Sequence, residues 1–212
     1  MSSQITTGFV QQYSANVQML SQQMGSRLRD AVRIENVVGK NAFIDQIGKA
    51  TAQLRTSRHG DTPQMDTPHA RRRLSLASYE YADLIDDQDK VRMLIDPTSM
   101  YAQAAANAMG RAMDDVIITA ALGTSATGET GSGTADLDAT TNTVGSASSN
   151  DGLTIAKLLD GITLGIGKDV SARIDERNDK GYATQVYYCM DIGATRMEEN
   201  KVVQIFCDET PD

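Results

Sequence analysis

Residues 55–73, RTSRHGDTPQMDTPHARRR, carry the side chains of this chain that could most readily do chemistry. Both histidines of the protein are here: His59 lies two residues before Asp61, and His69 lies three residues after Asp66. Imidazole and carboxylate groups both suit divalent metal ions, so the segment could form a site with two histidines and two carboxylates. The same spacing is ordinary in a solvated turn whose charges pair weakly. We therefore predict no metal ligand and no cofactor.

Five arginines are the second chemical feature of this segment. Guanidinium groups could grip nucleic-acid phosphates, or they could pair with carboxylates across a contact between subunits. The chain has 20 Lys and Arg against 28 Asp and Glu, a formal net charge of −8, so its average surface should repel nucleic acid. We therefore predict that the arginines meet acidic residues of a neighbouring subunit. The predicted interface residues are Arg55, Arg58, Arg71, Arg72 and Arg73, with Asp86, Asp87 and Asp89 as acceptors.

Motifs for catalysis are incomplete. Residues 161–169, GITLGIGKD, superficially resemble a phosphate-binding loop, but Ile162 stands where the first glycine should be. Asp169 replaces the Ser or Thr that would bind magnesium. For acyl transfer there is no GxSxG motif, and both histidines lie on one tip without a rigid position for a base. We predict no catalytic residues and no enzymatic activity.

A binding module is the alternative from another class of protein. It would use Arg71 to Arg73 with His59 and His69 as a basic tip for nucleic acid or metal. Sedimentation separates the two hypotheses, because a self-assembling protein forms a giant particle while a module stays small and shifts with DNA or zinc.

Cysteine usage and hydropathy indicate the kind of cellular compartment in which the protein is found. Cys189 and Cys207 lie 18 residues apart in apolar, strand-like sequence without CxxC spacing, which predicts free thiols and no zinc site. The start, MSSQITTGF, has no basic and apolar signal pattern, and no stretch approaches the roughly 18 apolar residues of a membrane span. We expect a soluble, unsecreted protein that does not contact membranes.

A hairpin should carry the opening segment. Strand-like sequence flanks it at residues 41–54 and 73–85, while Pro63 and Pro68 bar a regular ladder at its tip. An isolated two-stranded ribbon is marginally stable in water, so the hairpin should lie on a neighbouring subunit. We assign residues 41–90 to this extended loop.

The remaining chain divides into an arm, a helix, a linker and a sheet. Residues 1–40 form an N-terminal arm with an amphipathic helix over 6–30, and residues 91–123 hold a long helix whose small-residue face, including Ala108, should pack on a sheet. Residues 124–152, rich in Gly, Ser and Thr, form a linker. Residues 153–212 form a β-sheet whose last two strands pair as a hairpin. A helix on a sheet predicts an α+β fold.

Long segments of the chain resemble a major capsid protein of tailed bacteriophages. They are MSSQITTGFVQQYSANVQMLSQQMGSRLRDAVRIE, GKATAQLRTSRHGDTPQMDTPHARRR, YEYADLIDDQDKVRMLIDPTSMYAQAAANAMGRAMDD and GIGKDVSARIDERNDKGYATQVYYCMDIGATRMEENKVVQIFCDET. The resemblance implies the Hong Kong 97 type capsid fold, with an N-terminal arm, an extended loop hairpin, a long spine helix, a peripheral-domain sheet and an axial domain.

The same resemblance implies a function. Copies of the chain would assemble into hexamers and pentamers of an icosahedral shell around double-stranded DNA, in the virion, after assembly in the host cytoplasm. The partners would be the chain itself and decoration, scaffolding or portal proteins, with only weak, non-specific contact to DNA. A cargo-holding nanocompartment shell of the same fold is a further alternative.

One departure from the family is visible in the sequence. GLTIAKLLD passes directly to GITLGIGKDV, so the axial domain is absent and residues 158–162 lie at the junction. Either the subunit is compact, or a stretch of chain is missing between these segments. The second is favoured, because deleting the centre of a capsomer would expose apolar surface. It predicts a gap wider than the ~3.8 Å between neighbouring α-carbons.

Overall fold

A computed structural model describes residues 22–54, 61, 64–86, 98–138, 143–144, 152–156 and 161–207. In these residues the chain forms one α-helix and three sheets. The elements are β1 (Arg33–Asn36), β2 (Asn41–Ile47), β3 (His69–Ser75), β4 (Ala77–Ile85), α1 (Thr98–Leu122), β5 (Ser125–Thr127), β6 (Gly133–Ala135), β7 (Thr143–Val144), β8 (Gly152–Ala156), β9 (Ile162–Arg177), β10 (Ala183–Arg196) and β11 (Val203–Cys207).

The main sheet has the strand order β1-β9-β10-β4. β9 and β10 form a long antiparallel hairpin, β4 pairs antiparallel with β10, and β1 pairs parallel with the start of β9. The turn between β9 and β10 contains Gly181 and Tyr182, both with φ of 62°, a conformation that glycine adopts without strain. The main sheet is therefore built around the β9–β10 hairpin.

The predicted pairing of the last two strands is wrong. The sequence suggested that β10 folds back on β11, but β11 pairs antiparallel with β8 and parallel with β7 in a separate small sheet. The strand that β10 pairs with is the 16-residue strand β9. The turn before β10 closes the hairpin instead, since Gly181 there adopts the left-handed conformation that a reversal needs.

α1 packs on one face of the main sheet, and this contact forms the core. The helix residues facing the sheet recur every four positions and are buried: Ala105, Met109, Met113, Ile117 and Ala121. They meet Leu164, Ile166, Met190 and Ile192 of the central strands. The long helix was predicted, but Ala108 is only half-buried and lies beside this stripe. Larger side chains, rather than a face of alanines, make most of the contact.

The β2–β3 hairpin belongs to a second sheet, with the order β2-β3-β5-β6. β5 and β6 form a short hairpin directly after α1, and β5 pairs with Arg72 and Arg73 of β3. The prediction that the whole of residues 124–152 is a linker is therefore wrong for residues 125–135. Short Ser, Thr and Ala side chains bury little area, but their backbone groups extend the sheet.

The root of the arm is not helical. Residues 6–30 were predicted to form one amphipathic helix, but residues 22–28 form an irregular turn, followed by a short 3₁₀ segment at Arg29–Ala31. Gly25 has φ of 68°, which an α-helix does not allow. Residues 1–21 lie outside the described residues, and so do residues 158–160 of the predicted junction at 158–162. No helix in the described ranges combines the length and apolarity that crossing a membrane requires.

Candidate assembly surface

One face of the β2–β3 hairpin is seated on its own subunit. Successive strand residues point to opposite sides, so Gln46, Arg72 and Leu74 share this inner face. Gln46 Nε2 donates to the Met197 carbonyl at 2.6 Å, and Leu74 is fully buried. The base of the hairpin is therefore held by its own subunit, whereas the sequence predicted only that the hairpin lies on a neighbouring one.

The opposite face, which we call the outer face, combines apolar and charged groups. Phe43 and Ile47 are 46% and 72% exposed. Arg71 lies opposite Asp45 on the paired strand, with its Nε donating to Asp45 Oδ1 at 2.5 Å and its guanidinium carbon 5.8 Å from the centre of the Phe43 ring. This contact falls within the range of a cation–π interaction. The outer face thus presents an aromatic ring beneath a guanidinium whose position is already fixed.

The pair Asp45–Arg71 also sets the charge state of this face. The hydrogen bond from Arg71 lowers the pKa of the Asp45 carboxyl below its usual value. The hydrogen bond to Asp45 raises the pKa of Arg71 in turn. Both groups therefore stay ionised over the ordinary pH range, and the two charges of this pair neutralise each other.

Arg72 has a different role from its neighbour in sequence. It is only 7% exposed, and its Nη2 donates to Glu199 Oε1 at 2.5 Å. Arg72 was predicted to meet a carboxylate of a neighbouring subunit, but it pairs with Glu199 of its own subunit and ties the hairpin to the segment after β10. Arg73 is half-buried, and its stem lies against Gly131 of the β5–β6 turn.

Five of the proposed chemical residues lie outside the described residues: Arg55, Arg58, His59, Asp87 and Asp89. Asp86 is exposed at the end of β4. Asp61, Asp66 and His69 are exposed, and His69 pairs with Ile47 at the start of β3 rather than lying on the tip. Among the described residues, no three His, Cys, Asp or Glu side chains are placed to hold a metal ion.

A carboxylate that the sequence analysis did not single out fixes the root of the arm on α1. Asp114 accepts hydrogen bonds from the backbone N–H groups of Arg27 and Leu28 at 3.0 Å and 3.1 Å, from Ser26 Oγ at 2.5 Å and from the Gln23 side chain. One turn earlier on the helix, a Cβ on Gly110 would lie 2.3 Å from the Gly25 backbone. The arm root therefore sits directly on the helix backbone.

Asp114 stays ionised in this position. Burial raises the pKa of its carboxyl, but the hydrogen bonds from Arg27, Ser26, Leu28 and Gln23 together outweigh burial and hold the pKa below its usual value. No sequence pattern indicated this role, because the donors are backbone and side-chain groups of a turn almost ninety residues away.

Arg196, the last residue of β10, is a second residue that sequence reasoning missed. Its side chain is fully buried. Nη1 donates to the Ala121 and Gly123 carbonyls at 2.8 Å and 2.7 Å, and Nη2 donates to the Ala135 carbonyl at 2.9 Å. Burial lowers its pKa below the usual arginine value. Arg196 thus joins the end of α1 to β6 and β10, and the available signal was a single basic residue in a mostly apolar strand.

Comparison with known proteins gives one family match. The family model described as phage capsid protein matches residues 5–161 and 159–209. The two matched segments meet where the sequence analysis placed the missing axial domain. No curated protein matches the chain.

Solved structures share the fold across nearly the whole chain. The capsid structure of the cyanophage P-SCSP1u has a TM-score of 0.68 at 11% identity, covering 97% of this chain and 95% of that one. The capsid of a native GTA particle has a TM-score of 0.68 at 9% identity, covering 97% of both chains. A chain of Mycobacterium phage Adephagia has a TM-score of 0.66 at 10% identity, covering 100% and 99%. At such identities the likeness concerns the fold.

Proposed function

The chain belongs to the phage capsid protein family, and we propose that its copies join through the outer face of the β2–β3 hairpin. The fold is the predicted Hong Kong 97 type capsid fold, and the protein is a major capsid protein that forms the shell of a phage. What the proposal adds is the surface that carries the contact and the residues on it.

The observation that carries the proposal is the combination of Phe43, Ile47 and Arg71 on one exposed strand face. Aromatic and arginine side chains are enriched at the centres of protein interfaces and supply much of their binding energy. Asp45 already holds the Arg71 guanidinium over the Phe43 ring, so little side-chain entropy is lost when a neighbour covers the face. The inner face of the hairpin is occupied by its own subunit, which leaves the outer face for a second copy.

We further propose that this contact closes rings of six and five copies, and that these rings build an icosahedral shell around double-stranded DNA. Closed symmetric assemblies repeat one contact at every subunit, so a modest contact suffices when it recurs throughout the shell. The net charge of −8 supports a wall that contacts packaged DNA only weakly. The role is structural rather than enzymatic, assembly takes place in the host cytoplasm, and scaffolding, portal or decoration proteins are the further partners.

The remaining interface predictions are kept as part of this proposal. Arg55, Arg58 and Arg73 contribute basic groups to the contact, with Asp86, Asp87 and Asp89 of the neighbour as acceptors. Arg71 contributes through its place above Phe43, and Arg72 contributes indirectly by holding the hairpin base. A nucleic-acid or metal-binding module is less well supported, because Asp45 and Glu199 already neutralise two of its three consecutive arginines.

The proposal is tested with the double variant Phe43→Ser with Ile47→Ser. Both side chains are exposed, so the subunit should stay folded, and its far-ultraviolet circular dichroism and melting temperature should match the parent. Assembly, followed by sedimentation velocity against protein concentration, should need a higher concentration or fail. The matched control is Val38→Ser, which removes an apolar side chain that is 98% exposed but lies outside the outer face. Particles that form at the parent's concentration contradict the proposed surface.

A further inference from the structure

Two glycines face each other in the main sheet where the hairpin meets it. Gly165 of β9 and Gly193 of β10 are register partners. They alternate with Leu164, Ile166 and Ile192, which point to α1, so the two glycines lie on the opposite face of the sheet. The GITLGIGKD stretch that superficially resembles a phosphate-binding loop supplies the first of them.

The chain passes directly over these glycines as it leaves β3. A Cβ on Gly193 would lie 2.0 Å from the Ser75 carbonyl oxygen, and one on Gly165 would lie 2.5 Å from Leu74 Cδ2 and 2.9 Å from Val37 Cγ2. Real Cβ contacts essentially never fall below 3.0 Å. A larger residue at either position therefore requires the crossing segment to move.

This crossing segment connects the two sheets. β3 belongs to the second sheet, which contains the β2–β3 hairpin, and β4 belongs to the main sheet. Leu76 is the single residue between these two strands. The Leu76 backbone N–H donates to the Lys40 carbonyl at 2.9 Å, so the chain that leads into β2 is held at the same point. Leu74 beside it is fully buried, so the crossing segment packs closely on the sheet face that carries the two glycines.

We propose that the passage of residues 74–76 over Gly165 and Gly193, which we call the glycine crossing, sets the angle at which the hairpin leaves the subunit. That angle in turn sets the curvature and diameter of the shell. This inference rests on the proposed function. The glycines are positioning residues, because they lie on the inner side of the hairpin and leave Phe43 and Arg71 of the outer face untouched. In a closed shell any change of angle recurs at every contact, so a small rotation changes how many subunits complete a closed particle.

The test uses Gly193→Ala, in which the added methyl group meets backbone that cannot rotate away. Gly167→Ala is the matched control, because the one close approach of its Cβ would be to the end of the Leu76 side chain at 2.5 Å, which can turn aside, while Asp191 lies at an ordinary contact distance of 3.6 Å. Both full-length variants are purified, their melting temperatures are recorded, and their particles are measured by electron microscopy. Gly165→Ala, which meets buried side chains, provides the same readouts if Gly193→Ala does not fold.

We expect shells of altered or mixed diameter, or open curved sheets, from Gly193→Ala, and shells of the parent's diameter from Gly167→Ala. Shells of the parent's diameter from folded Gly193→Ala overturn the inference. A folded variant that no longer associates also overturns it, because the crossing then acts on the contact itself rather than on its angle. Failure of the proposed surface is seen separately, as normal assembly of the Phe43→Ser, Ile47→Ser variant.

Discussion

Arg196 donates from Nη1 to the carbonyl of Gly123 at 2.7 Å, so the last residue of β10 closes the end of the long helix α1. The final carbonyls of a helix have no partner within the helix, and here a buried guanidinium satisfies them. Two more bonds, to Ala121 and Ala135, use the same side chain. The contact joins three elements that come from distant parts of the chain.

Arg196→Met is expected to destabilise the subunit strongly. Methionine fills a similar volume but leaves three buried or partly buried carbonyl groups without their donor, and hydrogen bonds to a charged group contribute about 1.5 to 3 kcal/mol each. We expect a loss of about 3 kcal/mol or more in the free energy of unfolding, measured by urea denaturation. Arg196→Lys should recover part of that loss, and equal stability of Arg196→Met and the parent would show that the cap is unimportant.

Replacement by serine should have different effects at the two positions: it should lower folding stability at Arg72 and weaken assembly at Arg71. Arg72→Ser removes a buried charge-assisted bond to Glu199 and should cost about 2 kcal/mol of folding stability. Arg71→Ser removes an exposed pair that contributes about 0 to 1 kcal/mol, so stability should hardly change while assembly weakens. Urea denaturation and sedimentation of the two single variants separate these effects. Equal stability losses in both variants would contradict the division into an inner and an outer face.

The sequence contained part of this distinction. Arg72 lies two residues before Leu74, and residues two apart on a strand share a face, so a buried Leu74 already places Arg72 on the inner side. The helix could also be predicted, since its apolar residues and Gly123 mark its length and its end. The local sequence pattern is therefore enough to predict the extent of a helix or the two faces of a strand.

Pairing between distant segments was harder to foresee. Nothing local tells β11 to join β8 rather than β10, because both choices satisfy the alternation of apolar residues. Asp114 reads as an ordinary helix surface residue until a turn from residues 23–28 donates to it. Likewise, the need for glycine at positions 165 and 193 becomes apparent only when the chain leaving β3 is known to cross them.

Cys189 should react as a thiolate at a lower pH than an ordinary cysteine. Hydrogen bonds from Ser171 and Lys168, whose Nζ lies 3.0 Å from Sγ, lower the pKa of this thiol. The rate of alkylation by iodoacetamide should therefore reach half its plateau at a lower pH than in Lys168→Met. Cys189→Ser identifies the background from Cys207. The same half-plateau pH in the parent and in Lys168→Met would show that Lys168 does not stabilise the thiolate.

The contribution of Asp114 to anchoring the arm root should be lost at low pH. A carboxyl whose pKa is lower in the folded than in the unfolded chain stabilises the fold above the unfolded value, and this contribution is lost as pH falls through the folded value. The carboxyl of Asp114 is such a group, with an ordinary value of 3.8 as its starting point. The stability difference between the parent and Asp114→Asn should be largest above that value, where we expect about 1 to 3 kcal/mol, and should shrink below it.

Urea denaturation at a series of pH values measures the difference, and hydrogen exchange at Arg27 and Leu28 reports whether their amides are released. Asparagine has one acceptor and brings an N–H donor toward these amides, so exchange in Asp114→Asn should be fast at every pH. A stability difference that stays constant as the pH falls through and below 3.8 would mean that the charge of Asp114 does not hold the arm root.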